Sequence, residues 1–207
     1  MKIYDISEAL FNGMTVWPGD KEYQYQLTSV LHSDSIANVG AVSLSMHTGT
    51  HIDAPFHFDK NGKKVHELDL SIYMGATKVI HLLEKPFITI EDLKPFSLHD
   101  VKRLLIRTDS WMDKSSFPSS FTYLDPSVAP FLQKHGILLL GLDVPSVDPA
   151  ESNNLAAHHA LHASGIHILE RVVLHDIPEG NYELTALPLL IKNGDGSPVR
   201  AVLRSYS

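Results

Sequence analysis

At 207 residues and a formal net charge of −7, the chain is long enough to bury one core and too short for two ordinary domains. Hydrophobic residues at 43% and charged residues at 20% are the balance of a folded protein, and no basic run offers a surface to nucleic acid or anionic membrane. The absence of cysteine excludes both a disulfide framework and thiolate metal sites, and suits a reducing compartment.

The N-terminus places Asp5 and Glu8 where a signal peptide would have its apolar core. Residues 2–6 alternate as a short strand. Trp17-Pro18-Gly19-Asp20 is a turn, with Pro18 setting φ and Gly19 free to take φ > 0. Residues 23–31 and 41–46 are rich in β-formers and are expected as strands, as are 77–83 and 102–107. Thr89 caps a short helix running to 93. A second helix over 126–134 takes Asp125 as N-cap, carries Pro126 at its first position and stops at His135-Gly136. Residues 137–142 form a nearly unbroken apolar run, the pattern of a strand buried on both faces. The longer stretch 137–144 is interrupted by Gly141 and Asp143 and is too short to span a bilayer. A third helix is expected over 152–163, ending at Gly165. No repeat, linker, GxGxxG or Walker pattern occurs. The expectation is one mixed α/β domain over residues 1–207, cytoplasmic, strand-dominated, with about three helices.

Thirteen histidines hint at metal chemistry, and three of them crowd into His47-Thr48-Gly49-Thr50-His51-Ile52-Asp53-Ala54-Pro55-Phe56-His57. Imidazole nitrogens and carboxylate oxygens are ligands for a divalent transition metal, zinc above all. A helical zinc motif fails here. At ~100° per residue Asp53 would project about 200° away from His51, and Thr-Gly-Thr followed by Pro55 is poor helix material. On a strand, positions 47, 51 and 53 share a face, but 47 and 51 would lie ~13 Å apart. A bend at Gly49 is therefore required. The motif is placed at a strand end that breaks at Gly49 and turns out at Pro55, with His57 beyond the proline.

Glu170 is the second anomaly. It shares a period-2 stripe with Ile166, Ile168, Val172 and Leu174, a carboxylate on an otherwise apolar face. Burying it unpaired costs several kcal/mol unless a cation or a proton neutralises it. A salt bridge, or a register that leaves it exposed, would also account for it. Upstream, His158 and His159 lie side by side in the third helix. Adjacent helical residues point ~100° apart, so one can face a given site, and His159 is assigned to the surface or a supporting position. Roles for His162 and Asp143 stay open.

Taken together these residues carry a resemblance. The 47–58 stretch resembles the signature of the metal-dependent cyclase superfamily, and within it the chain is most similar to the bacterial kynurenine formamidases. Trp17-Pro18-Gly19-Asp20, Gly141-Leu142-Asp143-Val144-Pro145-Ser146, and His158-His159 with Ile168-Leu169-Glu170 match as well, so the likeness runs end to end. It implies a swivelling β/β/α fold, usually a homodimer, acting on a small-molecule substrate. It implies two zinc ions, with manganese able to replace them: one held by His47, His51 and Asp53, the other by Asp53, His158 and Glu170. It also implies His57 as proton donor and acceptor, and Trp17 against the substrate. The implied reaction is hydrolysis of N-formyl-L-kynurenine to L-kynurenine and formate by a hydroxide held between the zincs. Two rivals remain: a related amide or lactam hydrolase, such as one acting on isatin, and a metal-binding module without catalysis. Three protein ligands per zinc leave open positions, which disfavours the second.

Overall fold

The computed structural model describes residues 1–32 and 35–206. In chain order the strands are β1 (Ile3–Asp5), β2 (Gln24–Ser29), β3 (Val39–Ser43), β4 (His51–Asp53), β5 (Met74–His81), β6 (Phe87–Ile88), β7 (Arg103–Arg107), β8 (Tyr123–Leu124), β9 (Leu139–Leu142), β10 (His167–Glu170), β11 (Gly180–Thr185), β12 (Gly196–Pro198) and β13 (Val202–Ser205). The helices are α1 (Ile90–Leu93), α2 (Val128–Lys134) and α3 (Ala156–Ala163). No helix among the described residues is long and apolar enough to cross a membrane.

Nine strands join in one mixed sheet, in the order β1-β13-β11-β5-β7-β9-β10-β4-β12. The pairs β5–β7, β7–β9 and β9–β10 are parallel and form its centre. Their sequences explain why. All of β9 and the first four residues of β7 are buried, as near-continuous apolar runs covered on both faces must be. Alternation sends Leu104, Ile106, Leu140 and Leu142 to one face, where they pack with Leu132 of α2 and Leu161 of α3. Leu105, Leu139 and Leu169 go to the other, against Ile52, Val79 and Leu184. Antiparallel strands flank this centre, and β4 and β10 lie next to each other near one edge.

Several element boundaries differ from the pattern in the sequence. The second helix begins at Val128 with Ser127 as N-cap, because the Asp125 carboxylate instead accepts from Ser127 N at 2.8 Å and closes the preceding turn. The third begins at Ala156, not 152, since Leu155 takes a left-handed conformation with φ +46°. The stripe expected through Leu174 ends as a strand at Glu170, where Arg171 turns left-handed at φ +56°. The strand expected over 41–46 is β3, which stops at Ser43, and His47 lies in the turn that follows. The β2–β3 hairpin stands apart from the main sheet as a two-stranded unit.

Candidate metal centre

The antiparallel register of β4 and β10 sets Glu170 opposite His51 and Ile168 opposite Asp53. Paired residues share a face, so His51, Asp53 and Glu170 project together. Gly49, at φ +64°, supplies the bend that brings His47 back, and the His47 and His51 rings meet edge-on with centroids 5.0 Å apart. Helix α3 delivers His158 to the same point. All but His47 are at least 97% buried.

Asp53 is the hub. Its Oδ1 lies 2.8 Å from His47 Nδ1 and 3.4 Å from His51 Nε2, and its Oδ2 lies 3.3 Å from His158 Nε2. Glu170 Oε2 is 3.5 Å from His51 Nε2, and Oε1 is 3.8 Å from His158 Nε2. The hydrogen bonds on the outer side decide what these atoms can do. His51 Nδ1 sits 2.8 Å from the Gly49 carbonyl and has to donate to it, which leaves a lone pair on Nε2 facing two carboxylates. His158 Nδ1 is held at 2.6 Å by Asp148 in the same way. Among the described residues, His51 Nε2 and Asp53 Oδ2 are buried without a hydrogen-bond partner. Lone pairs buried against each other are costly, and a cation between them removes the cost. The nitrogen and oxygen donor set suits zinc or manganese.

The protonation pattern points the same way. Burial opposes charge on His47, but hydrogen bonds to Asp195 and Asp53 outweigh it and raise its pKa to about 10. For His158 burial is likewise outweighed, by Asp148 and Asp53, and its pKa also rises to about 10. Despite its own burial, the neighbouring imidazoles of His158, His47 and His51 hold Asp53 well below the usual carboxylate range. Burial and then repulsion from Asp53 push Glu170 up to about 8. Burial keeps His51 neutral. The pocket draws positive charge.

Pro55 opens a single 3-10 turn that carries His57, whose ring lies 3.9 Å from that of His47 and 6.1 Å from that of His158. One side of His57 is open to solvent. On the others, desolvation, only partly countered by Asp53, and repulsion from His47 and His158 lower its pKa to about 4. A cavity of about 590 Å³ opens over the cluster, walled by His47, His51, His57, His158 and Glu170 on one side and by Trp17, Asp20, Ser45 and Leu155 on others. Trp17 stands edge-on against Phe117 at 4.9 Å. His159 is exposed, with its ring 5.6 Å from that of Phe58. His162 Nε2 lies 3.9 Å from Asp59. Asp143 accepts from Thr108 N and Asp109 N at 2.9 Å, organising the loop after β7.

Three residues of the site were not singled out from the sequence. Asp148 accepts from the backbone N–H groups of Ala157 and His158 as well as from the His158 ring, so one carboxylate caps α3 and orients its histidine. In sequence it precedes a proline and looks like a turn residue. Asp195, in the Asn-Gly-Asp-Gly turn, places Oδ2 3.3 Å from His47 Nε2 and groups with His47 and His57. Buried Arg171 makes two 2.8 Å bonds to Glu8 and a 3.0 Å bond to the Thr15 carbonyl, tying down the segment that leads to Trp17. A helix-start search looking several residues upstream could have found Asp148; nothing local marks the other two.

The family described as "Putative cyclase" matches residues 4–149. A kynurenine formamidase of Geobacillus thermodenitrificans is 52% identical over 200 residues, covering 97% of this chain and 96% of the relative. One from Bacillus cytotoxicus is 48% identical with the same coverage. Among solved structures, a potential metal-dependent hydrolase with cyclase activity superposes with a TM-score of 0.84 at 27% identity, covering 98% of this chain and 96% of the other. Isatin hydrolase A from Labrenzia aggregata gives 0.84 at 25% identity, covering 98% and 93%. The chain belongs to the cyclase family, alongside the bacterial kynurenine formamidases.

Proposed function

We propose that the chain hydrolyses N-formyl-L-kynurenine to L-kynurenine and formate. In this reading His47, His51 and Asp53 hold one zinc ion, and Asp53, His158 and Glu170 hold a second, with manganese as the alternative metal. The buried, unpartnered lone pairs of His51 Nε2 and Asp53 Oδ2 are the observation that carries it. Asp53 suits a bridging role because its two oxygens face different imidazoles. When bound, the metal supplies Lewis-acid polarisation of the formyl oxygen and a water far more acidic than bulk water.

The chain's own groups do the rest. His57, kept neutral at physiological pH, accepts the proton from the attacking water on a ring nitrogen. It returns that proton to the anilide nitrogen as the C–N bond breaks, because an amide nitrogen leaves poorly unless protonated. Trp17, on the cavity wall, packs against the aryl ring. Asp148 and the Gly49 carbonyl hold the His158 and His51 imidazoles so that Nε2 faces inward. We further propose a cytoplasmic homodimer in which residues 1–207 act as a single domain.

The fold shared with an isatin hydrolase favours one second reading, hydrolysis of isatin or another cyclic amide on the same centre. Elemental analysis of the purified protein, alongside absorbance assays on formylkynurenine and isatin, separates these. Two zinc ions per chain with turnover of formylkynurenine is the expected result. Protein that binds no metal, or that opens only isatin, overturns the formamidase reading.

A further inference from the structure

Backbone strain in this chain is not spread evenly. Among the described residues, Glu84, Asp100, Asp109, Leu155, Arg171 and Asn193 take positive φ without being glycine. Aspartate and asparagine tolerate that conformation, because a short polar side chain bonds locally, whereas a bulky residue there is an outlier. Three bulky residues are left. Glu84 sits in an exposed turn after β5. The other two, Leu155 at φ +46° and Arg171 at φ +56°, both wall the cavity over the metal cluster. Arg171 is anchored there by its bonds to Glu8 and to the Thr15 carbonyl. Leu155 has no polar side chain to anchor it.

Nothing in the fold asks for leucine at this position. Residue 155 is the N-cap of α3, at φ +46° and ψ +50°, and makes no side-chain cap bond. An ordinary N-cap has an extended backbone and offers a side-chain oxygen, and leucine ranks among the poorest. Asp148 does the capping instead, accepting from Ala157 N at 2.9 Å and His158 N at 3.0 Å. Leu155 contributes only backbone to the turn: its N–H donates to Ser152 Oγ at 3.1 Å, and its carbonyl accepts from His159 N at 3.0 Å. Glycine would make both bonds without strain. The side chain does not fill the core either, being half-buried and outside both apolar clusters on the faces of the sheet. What it lines is the cavity. Strain that the fold does not need points to function.

We propose that Leu155 is a specificity-determining residue: its left-handed turn holds an apolar side chain in the cavity, where it packs with Trp17 around the aryl ring of the substrate. The proposal rests on the formamidase reading and gives the ring a second apolar contact. Of the described residues that line the cavity, Trp17, Pro145 and Leu155 are apolar and the rest are polar or charged. A ring leaving water gains by lying against apolar side chains, so these few decide where it rests. Leu155 also opens the helix that carries His158 three residues on, so one turn places both a ring contact and a metal ligand.

The test compares Leu155→Gly, Leu155→Ala and Leu155→Met in the zinc-loaded protein. Glycine removes the side chain and relieves the strain, whereas alanine removes the side chain and keeps the strain. Both should raise KM for formylkynurenine about tenfold with kcat little changed and zinc content that of the wild type. Leu155→Met should bring KM back near the wild-type value. The urea midpoint of Leu155→Gly should match or exceed that of Leu155→Ala; the reverse order overturns the argument from strain. An unchanged KM in the glycine and alanine variants overturns the proposal. So does a fall in kcat with loss of zinc, which would mean that residue 155 only places His158. Calorimetric binding of acetanilide, a simple aryl amide, keeps the two readings apart. A wild type that binds acetanilide but leaves formylkynurenine intact overturns the formamidase reading alone, and the ring contact then stands or falls on whether Leu155→Gly weakens that binding about tenfold. A wild type that neither binds nor hydrolyses these aryl amides overturns both.

Discussion

The floor of the metal centre and the β2–β3 hairpin break the same rule in opposite directions. Along β4 and β10 the chain buries two carboxylates and an imidazole among apolar strands, joined by His158 from α3. Along β2 and β3 it leaves tyrosine, leucine and valine in water. Buried polar groups and exposed apolar patches are the informative departures from ordinary folding. Each is unfavourable in the bare chain, and each identifies by its chemistry what relieves it. Converging lone pairs call for a cation. A bare apolar face calls for apolar cover. The two lie next to each other in sequence, since the hairpin is inserted between Trp17 and His47.

The contrast can be broken most forcefully at Asp53. Asp53→Ala should abolish both zinc binding and turnover, read by elemental analysis and the formylkynurenine assay, because its two oxygens face His47 on one side and His158 on the other. Zinc should raise the thermal midpoint of the wild type, and this variant should lose that rise. His57→Ala sharpens the comparison by separating chemistry from metal: zinc stays, and kcat falls about 10²–10⁴-fold. Asp148→Asn tests whether a ligand needs its outer support. Chelator competition should show metal affinity weakened about 10–100-fold.

The smallest effect concerns acid stability behind the site. The Tyr73 hydroxyl lies 2.7 Å from His167 Nδ1, and burial, aided by repulsion from His162 and Lys63, lowers the pKa of His167 to about 4. Between pH 6.5 and 4 the unfolded chain takes a proton that the folded chain refuses, so stability declines as pH falls through this window. From pH 7 to pH 5 the loss is about 2 kcal/mol, read from urea midpoints. His167→Gln should flatten that dependence; an unchanged slope would mean that other groups carry it.

Much of this was legible in the sequence because local chemistry forced it. The spacing of His47, His51 and Asp53 rejects a helix and demands a break at Gly49, where the structure has its bend. Glu170 stood out as a carboxylate in an apolar run, and the structure buries it opposite His51. Asp148 and Asp195 were missed because an aspartate beside a proline or between glycines is already explained as a turn residue, and only tertiary contact adds the second task. The third helix was drawn too long because good helix formers from 152 onward do not reveal the left-handed Leu155. Strands β2 and β3 were readable, but that neither face would be covered is a property of the assembled chain that no window of residues contains.

The outer hydrogen bonds on His51 and His158 have a last consequence. Gly49 and Asp148 decide which nitrogen of His51 and of His158 carries hydrogen, and both acceptors belong to turns completed as the chain folds. Neither ring can flip or change tautomer without abandoning its acceptor. The rotational freedom of both ligands is surrendered during folding, not at the moment an ion arrives. An ion entering the centre would meet nitrogens already aimed at it, with only protons and water to displace.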